Sequence, residues 1–405
     1  MKSKLIYKWD KKSASNIKRN IELNDETLRD GLQGTYVKHP SISQKKNFLE
    51  LSDKLGLDSI NIGFPISGNQ AKNDIITLAK FAKKEKLKIQ LECGGRILQS
   101  DIDAMIDVSQ KSGVKLLAGL FIASSKIRHL VEKWDLKNMG DLIQKNIAYA
   151  IKNDLEVMFV SEDTSRAHPK AISYLYNKAL EGGARRLCIC DTVGEATPES
   201  TYNLVNFVKK NIVKNHKNVK IDWHGHNDRG LATANSLSAI KAGADCIQVT
   251  ALGIGERTGN ASTEEILINL HKEGLTNANL KYLQQYSELA SKMLKFKISP
   301  NTPVIGKDIF KTATGVHASA IKKALDLNDH YLANNIYTSI SPYEIGREHE
   351  ILIGPNSGKS NVEFFLKKIN IKPNNQLIEV ILEKARIKRK ILSAEEIIVI
   401  VNSEN

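Results

Sequence analysis

The sequence predicts an α/β chain, a (β/α)8 TIM barrel followed by a helical C-terminal extension. Three observations predict it. Short β-branched or apolar runs recur at 21–27, 59–64, 88–93, 116–121, 156–161, 186–192, 220–226 and 246–252. Their starts lie 38, 29, 28, 40, 30, 34 and 26 residues apart, the spacing of a strand–helix–strand unit. Helical periodicity fills the gaps, and eight such units in about 255 residues match a closed barrel. A doubly wound open sheet shares this periodicity, which is silent on closure.

Taken in order, the first strand (IELNDET) is followed by a helix at 45–55, closed by Gly56. The strands SINIGF and KIQLEC come next, and Gly113 closes the helix before LLAGLF. A helix at 141–151 leads to EVMFVS, and Gly182 closes the helix before RLCICDT. KIDWHGH is followed by a helix at 231–242, closed by Gly243, and then by CIQVTAL. Glycine suits these closing positions because a left-handed C-cap costs it least. Beyond 275 the alternation stops. Helical pattern covers 279–296, an irregular stretch rich in Pro, Asn and Gly covers 298–358, and short helices are expected at 361–369, 376–389 and 394–400. The expected organisation is a basic leader (1–20), a catalytic barrel (20–275), and a linker with small helical subdomains (276–405).

Composition narrows the function. The chain has 405 residues, 41% hydrophobic and 26% charged, ordinary for a packed protein and far from the disordered range. A chain of this length buries about three quarters of its unfolded surface without disulfides or structural metal. No apolar run approaches the roughly 18–20 residues of a membrane span, and the basic first twenty residues hold no secretory apolar segment. Four cysteines without a CxxC pair argue against a disulfide framework or zinc ribbon and for a reducing cytoplasm. The net charge of +14 comes from 59 basic against 45 acidic residues. The lysines are scattered, and the dense spots at 83–88 and 384–390 read as polar helix faces. Net charge therefore does not make this a nucleic-acid binder, although a repurposed basic barrel is the non-enzymatic alternative. GPNSGKS (354–360) has three residues between Gly354 and Gly-Lys, one short of a phosphate-binding P-loop. Gly253, Gly255 and Gly259 follow the last strand in GxGxxxG spacing, which reads as a turn approaching a ligand or metal.

In a barrel, chemistry sits at the C-terminal strand ends, and here these are polar. They carry Arg29, Asp30 and Gln33; Glu92 and Arg96; Ser124 and Ser125; Glu162, Asp163 and Arg166; Asp191 and Thr192; His224, His226, Asn227 and Asp228; Glu256, Arg257 and Asn260. His224-Gly225-His226 is the sharpest feature. Residues i and i+2 of a strand share a face, about 6.6 Å apart along the chain, so both imidazoles can converge on one metal at roughly 2.0–2.1 Å. Asp30 would complete a two-His, one-carboxylate set with open positions. Asp228 is expected to orient a ligand histidine or to cap a helix. Cys188 and Cys190, on one strand face, read as barrel filling.

Longer strings add a resemblance. NDETLRDGLQ (24–33), FVSEDTSR (159–166), CDTVGEATP (190–198), HGHNDRGLATANS (224–236) and GIGERTGNASTEE (253–265) resemble the 2-isopropylmalate synthase and homocitrate synthase family. TGVHASAIKK (314–323), IYTSISPYEIGRE (336–348) and IGPNSGKSNV (353–362) look like its linker and helical subdomains. The resemblance implies a TIM barrel that condenses acetyl-CoA with a 2-oxo acid using one divalent ion (Mg, Mn or Zn). It implies Asp30, His224, His226 and Asn260 as metal ligands, Arg29 as the stabiliser of substrate oxygens, Thr192 as the carboxylate contact, and Gln33 near metal and substrate. It implies Glu162 as a catalytic residue, and His317 and Tyr337 as residues the linker supplies to the partner's site in a homodimer. Between Glu162 and His317 as general base the residues do not choose.

Departures concern the pocket wall. Asn61 stands in INIGFP where isopropylmalate-type members carry a glutamate, Gly119 stands where a histidine is frequent, and Arg229 replaces an apolar residue. The chain also holds too little after the linker for a leucine-binding regulatory domain. The expectation is a 2-isopropylmalate synthase-like activity first and a homocitrate or citramalate synthase-like one next. A 3-hydroxy-3-methylglutaryl-CoA lyase type is less favoured, because the loop GIGERTGN lacks that type's cysteine.

Overall fold

The structure, a computed structural model, describes residues 5–7 and 20–404. The leader expected at 1–20 falls, apart from 5–7 and 20, outside the described residues. Eight parallel strands close into a barrel in sequence order. They are β1 (Glu22–Asp25), β2 (Ser59–Asn61), β3 (Gln90–Arg96), β4 (Leu117–Ala123), β5 (Glu156–Glu162), β6 (Arg186–Asp191), β7 (Lys220–Gly225) and β8 (Cys246–Val249). Closure rests on β1 pairing with β8, Glu22 opposite Cys246 through Asp25 opposite Val249. The open-sheet alternative is thereby excluded.

Helices α1 (Ile42–Leu55), α2 (Asn69–Lys84), α3 (Gln99–Ser112), α4 (Lys126–Glu132), α5 (Leu136–Lys152), α6 (Pro169–Gly182), α7 (Pro198–Asn211), α8 (Ala232–Ala242) and α9 (Thr263–Glu273) follow the strands. Gly56, Gly113 and Gly243 take the left-handed cap as expected. Gly182 does not: it is the last residue of α6, and Gly183 (φ 109°) turns the chain. Gly182 is held in the helix by packing, since a methyl there would lie 2.8 Å from the Gln144 carbonyl oxygen.

The chain divides into two compact units between Ile298 and Ser299, later than the division expected at 275/276. The reason is α10 (Leu283–Leu294), whose Tyr286 ring packs 5.0 Å from that of Phe48 on α1 and donates a 2.6 Å hydrogen bond to Asp25 of β1. Inside the barrel, Leu117, Met158, Cys188 and Cys190 form a small apolar plug, which fits the filling role expected of the two cysteines. Below it, near the strand starts, Arg186 donates to both carboxylate oxygens of Asp222 (3.1 and 2.8 Å) and to Glu22 (3.0 Å).

The C-terminal unit, taken by itself, holds a two-stranded parallel pairing of β9 (Lys311–Thr312) with β10 (Glu350–Ile351). Around it lie α11 (Gly315–Asp326), α12 (His330–Asn335), α13 (Lys359–Lys368), α14 (Asn375–Lys388) and α15 (Ala394–Glu404). The stretch expected to be irregular therefore contains two helices. Residues 318–325 (ASAIKKAL) are mostly strong helix formers, but the Gly, Asn and Pro on either side obscure their signal. GPNSGKS is a structural turn: Ser357 donates to the Ala313 carbonyl at 2.7 Å, and Asn361 accepts from the Gly358 amide at 3.0 Å where α13 begins. Among the described residues, no helix is long and apolar enough to cross a membrane.

Arg186→Ala would leave the buried carboxylate of Asp222 without its guanidinium at the base of the barrel, while Glu22 would keep Lys220. Breaking a buried pair from one side costs about 3–5 kcal/mol. Urea unfolding should show a midpoint lowered accordingly, and an unchanged midpoint would contradict this role.

Candidate active site

Asp30 and the two histidines reach one another because β7, β8 and β1 are consecutive staves of the closed barrel. Both histidines project to one face, ring centroids 5.0 Å apart. Their Nε2 atoms are 3.3 Å apart, and Asp30 Oδ2 lies 3.3 Å from that of His224 and 3.5 Å from that of His226. All three side chains are buried. Among the described residues, no other group of three His, Cys, Asp or Glu side chains converges in this way.

The spacing fits a cation. Three donors this far apart lie about 2 Å from their common centre, the length of a zinc–nitrogen or zinc–oxygen bond. The hydrogen bonding fits as well. Asn260 Oδ1 is buried and bonds to nothing among the described residues. Asn260 is bridged to His226 by backbone pairing and donates its amide to the Ile254 carbonyl at 3.2 Å, so its oxygen is open to a ligand. The glycines of the preceding loop make this possible. A methyl on Gly255 would lie 2.1 Å from Asn260 Nδ2, and one on Gly259 1.9 Å from the Gly253 carbonyl oxygen.

Electrostatics keep Asp30 and His226 deprotonated. Burial opposes charge on Asp30, yet Arg29, the hydrogen bond with His224 and both imidazoles outweigh it and hold the carboxyl well below its usual range. Its other oxygen accepts from the Glu256 amide at 3.2 Å. Burial first, then the neighbouring His224, pushes His226 down to about 4. The imidazole is therefore neutral at pH 7 and has one ring lone pair to offer a cation.

The donors stand over a cavity of about 210 Å³ lined in part by Arg29, Gln33, Glu162 and Thr192. Arg29 is clamped by Glu26 (2.5 Å) and donates to Gln33 at 3.3 Å. The Thr192 hydroxyl accepts the Asp163 amide at 2.8 Å, leaving its own proton to give. Glu162 is half-buried and paired with Arg128 at 2.5 Å. Burial raises its pKa despite that arginine. His317 and Tyr337 belong to the C-terminal unit, where their rings stack with centroids 3.9 Å apart. Neither role expected of Asp228 is seen. Its carboxylate holds Arg257 (2.9 and 3.1 Å), and Leu231 is the N-cap of α8.

Against this geometry stand the relatives of the chain. Residues 20–290 match the HMGL-like family. The chain belongs to the HMGL-like family. Within reach of this HMGL-like chain is a probable 2-isopropylmalate synthase of Methanosarcina mazei, 30% identical over 377 residues, covering 92% of this chain and 69% of that protein. The homocitrate synthase AksA of Methanopyrus kandleri is 30% identical over 378 residues, covering 91% of this chain and 89% of that protein. Among solved structures, the HMG-CoA lyase of Bacillus subtilis superposes with a TM-score of 0.59 at 20% identity, covering 68% of this chain and 93% of the lyase. That likeness is one of fold.

Other residues of the HMGL-like site were absent from the expectations. Glu26 lines the cavity and holds Arg29. Its signal was available, since Asn24 and Glu26 are alternate polar residues in a barrel strand. Arg128 gave no signal, because it sits on the short α4 and reaches Glu162 only through the fold. Tyr36 likewise bonds both the amide and the carbonyl of Gly255 from a loop far away in sequence.

Asp30→Ala and His226→Ala should each lose bound divalent metal by more than the roughly 10–100-fold typical of an outer-shell partner, with the fold preserved by circular dichroism. In the parent chain, affinity should hold from about pH 8 to about pH 6 and fall as the pH approaches 4, where a proton competes for His226. Titration calorimetry at several pH values checks both, and retention of metal by either variant would contradict the assignment.

Proposed function

We propose that the chain is an acyltransferase that condenses acetyl-CoA with a 2-oxo acid and then hydrolyses the new thioester. Asp30, His224, His226 and Asn260 would hold one divalent cation. The observation that carries this reading is the convergence of three potential metal-ligand atoms, of Asp30, His224 and His226, at 3.3–3.5 Å beside a cavity. The names borne by its relatives, 2-isopropylmalate synthase and homocitrate synthase, support the same chemistry. When bound, the cation supplies Lewis-acid polarisation of a ketone and countercharge for the oxygen that becomes negative.

The chain's own residues do the rest. Arg29 is immobilised by Glu26 and Gln33, so its charge is already in place where the ketone oxygen develops its own. Thr192 offers a hydroxyl proton to the carboxylate of the oxo acid. Glu162, raised by burial, is a stronger base than an ordinary carboxylate and is placed to take a proton from the thioester methyl. The carbon so freed bonds to the ketone carbon, and the ketone oxygen gains a proton. Water then splits the thioester into a carboxylate and the coenzyme A thiol. His317 and Tyr337 are the second set of proton-transfer groups, supplied in this reading by the partner subunit of a homodimer. The isopropylmalate type is the leading product class, with homocitrate and citramalate types as its competitors. The cleavage direction of a lyase is not favoured, since GIGERTGN offers no thiol.

Thiol release from acetyl-CoA, followed across 2-oxo acids with alkyl, hydroxylated and dicarboxylic side chains, tests the reading. At least one acid should stimulate release, and a chelator should abolish it. Stimulation by none would overturn the assignment. Glu162→Gln should lower kcat by about 10²–10⁴-fold and remove an acid limb that lies above the ordinary carboxylate pKa. A variant with the parent's pH profile would move the base to His317.

A further inference from the structure

Below the three converging donors the cavity ends in a floor rich in hydrogen-bond acceptors. Glu26 of the turn after β1 and Glu92 of β3 line it, each 1% exposed. Asn24 donates its amide to Glu92 at 2.6 Å and to Glu26 at 3.4 Å. Asn61 donates to the same two carboxylates, at 3.1 and 3.3 Å. Both side-chain amides are thus committed to the glutamates. The Asn61 oxygen accepts the Gly63 amide at 3.1 Å, whereas the Asn24 oxygen, fully buried, accepts from nothing among the described residues. Gln248, a further amide on the wall, points its Nε2 at the Met158 thioether, 3.6 Å away.

The nearest cation is already engaged. Arg29 gives its Nε to Glu26 and one terminal nitrogen to Gln33, while the other lies 3.7 Å from Asp30. No side chain at Gly119 covers Glu92: a methyl there would come within 2.5 Å of Glu92 Oε1. Glycine at this place on β4 is what admits the carboxylate. Between rim and floor the walls are apolar, formed by Phe64, Phe121, Val160 and Cys190. Burial first, and then the charge of Glu26, holds the Glu92 carboxyl well above its usual range, as expected of two carboxylates buried side by side.

We infer that the 2-oxo acid taken by this cavity ends in a hydrogen-bond donor, a hydroxyl or an ammonium, on a short apolar stem, and that Glu92 is the residue that reads it. This rests on the condensation reading above and names its substrate class, a donor-tipped acid in place of the alkyl and dicarboxylic acids of the product classes ranked there. A second carboxylate on the acid would meet Glu26 and Glu92 with no free cation to offset it. A plain alkyl end would offer nothing to the lone pairs that Asn24, Asn61 and Arg29 leave open on these two carboxylates, and sites built to pair a polar group reject analogues that lack it.

Four acids that differ only at the tip of a two-carbon stem provide the test: 2-oxopentanoate, 4-hydroxy-2-oxobutanoate, 4-amino-2-oxobutanoate and 2-oxoglutarate. With the metal-loaded enzyme and acetyl-CoA, kcat/KM should be about tenfold or more higher for a donor-tipped acid than for 2-oxopentanoate or 2-oxoglutarate. The hydroxy and amino arms decide which donor is preferred. Glu92→Leu should reverse the order in favour of 2-oxopentanoate, and calorimetric binding of the four acids to the parent enzyme without acetyl-CoA should show the parent's ranking even if that variant does not fold. A parent enzyme that prefers 2-oxopentanoate or 2-oxoglutarate, or a folded Glu92→Leu with an unchanged order, would overturn the inference while leaving the condensation intact. Thiol release with none of these four, nor with any acid of the wider panel, would overturn both.

Discussion

The pairing of β1 with β8 is the constraint on which the site depends. Asp30 follows the first strand, and His224 lies in the seventh with His226 just after it, so in an open sheet of this strand order they would stand near opposite edges. Closure places only β8 between them, and three electron-rich atoms then meet at 3.3–3.5 Å. Such an arrangement repels itself unless a positive charge offsets it. Arg29 supplies part of that charge from 3.7 Å, and a divalent cation held between the donors would supply the remainder. The loop after β8 is folded onto this point by glycines, which bring the Asn260 amide oxygen beside β7.

Burying so much like charge has to be supported from below. The apolar plug of Leu117, Met158, Cys188 and Cys190 separates the reactive end from the Arg186–Asp222–Glu22 network near the strand starts. One end of the barrel carries an ion-paired network across three strands, and the other gathers the carboxylates and imidazoles of the candidate site. This division follows the general separation of stability and chemistry between the two ends of such barrels. The same logic accounts for the floor of the cavity, where Asn24 and Asn61 hold Glu26 and Glu92 in place without neutralising them.

Much of this was legible in the residues. Strand periodicity and the spacing of repeats located all eight staves, and His224-Gly225-His226 identified its own geometry because alternate strand residues share a face. Asp30 was legible as a polar residue at a strand end. What escaped depended on contacts between elements distant in sequence. Arg128 reaches Glu162 from a short helix, Asp228 is drawn to Arg257 rather than to a histidine, and α10 joins the barrel through Phe48 and Asp25. The helix at 315–326 was missed because Gly, Asn and Pro beside it outweighed its alanines and lysines. Gly119 and Asn61 were visible as departures from relatives, but that glycine admits Glu92 into the cavity only became apparent once β3 and β4 lay side by side.

Anomalous diffraction at the zinc edge, from crystals of the full chain grown with zinc, tests the central claim most directly. One strong peak is predicted at about 2.0–2.2 Å from the Nε2 atoms of His224 and His226 and from a carboxylate oxygen of Asp30. A peak elsewhere on the chain, with the two imidazoles hydrogen-bonded to each other and to Asp30 instead, would contradict the account.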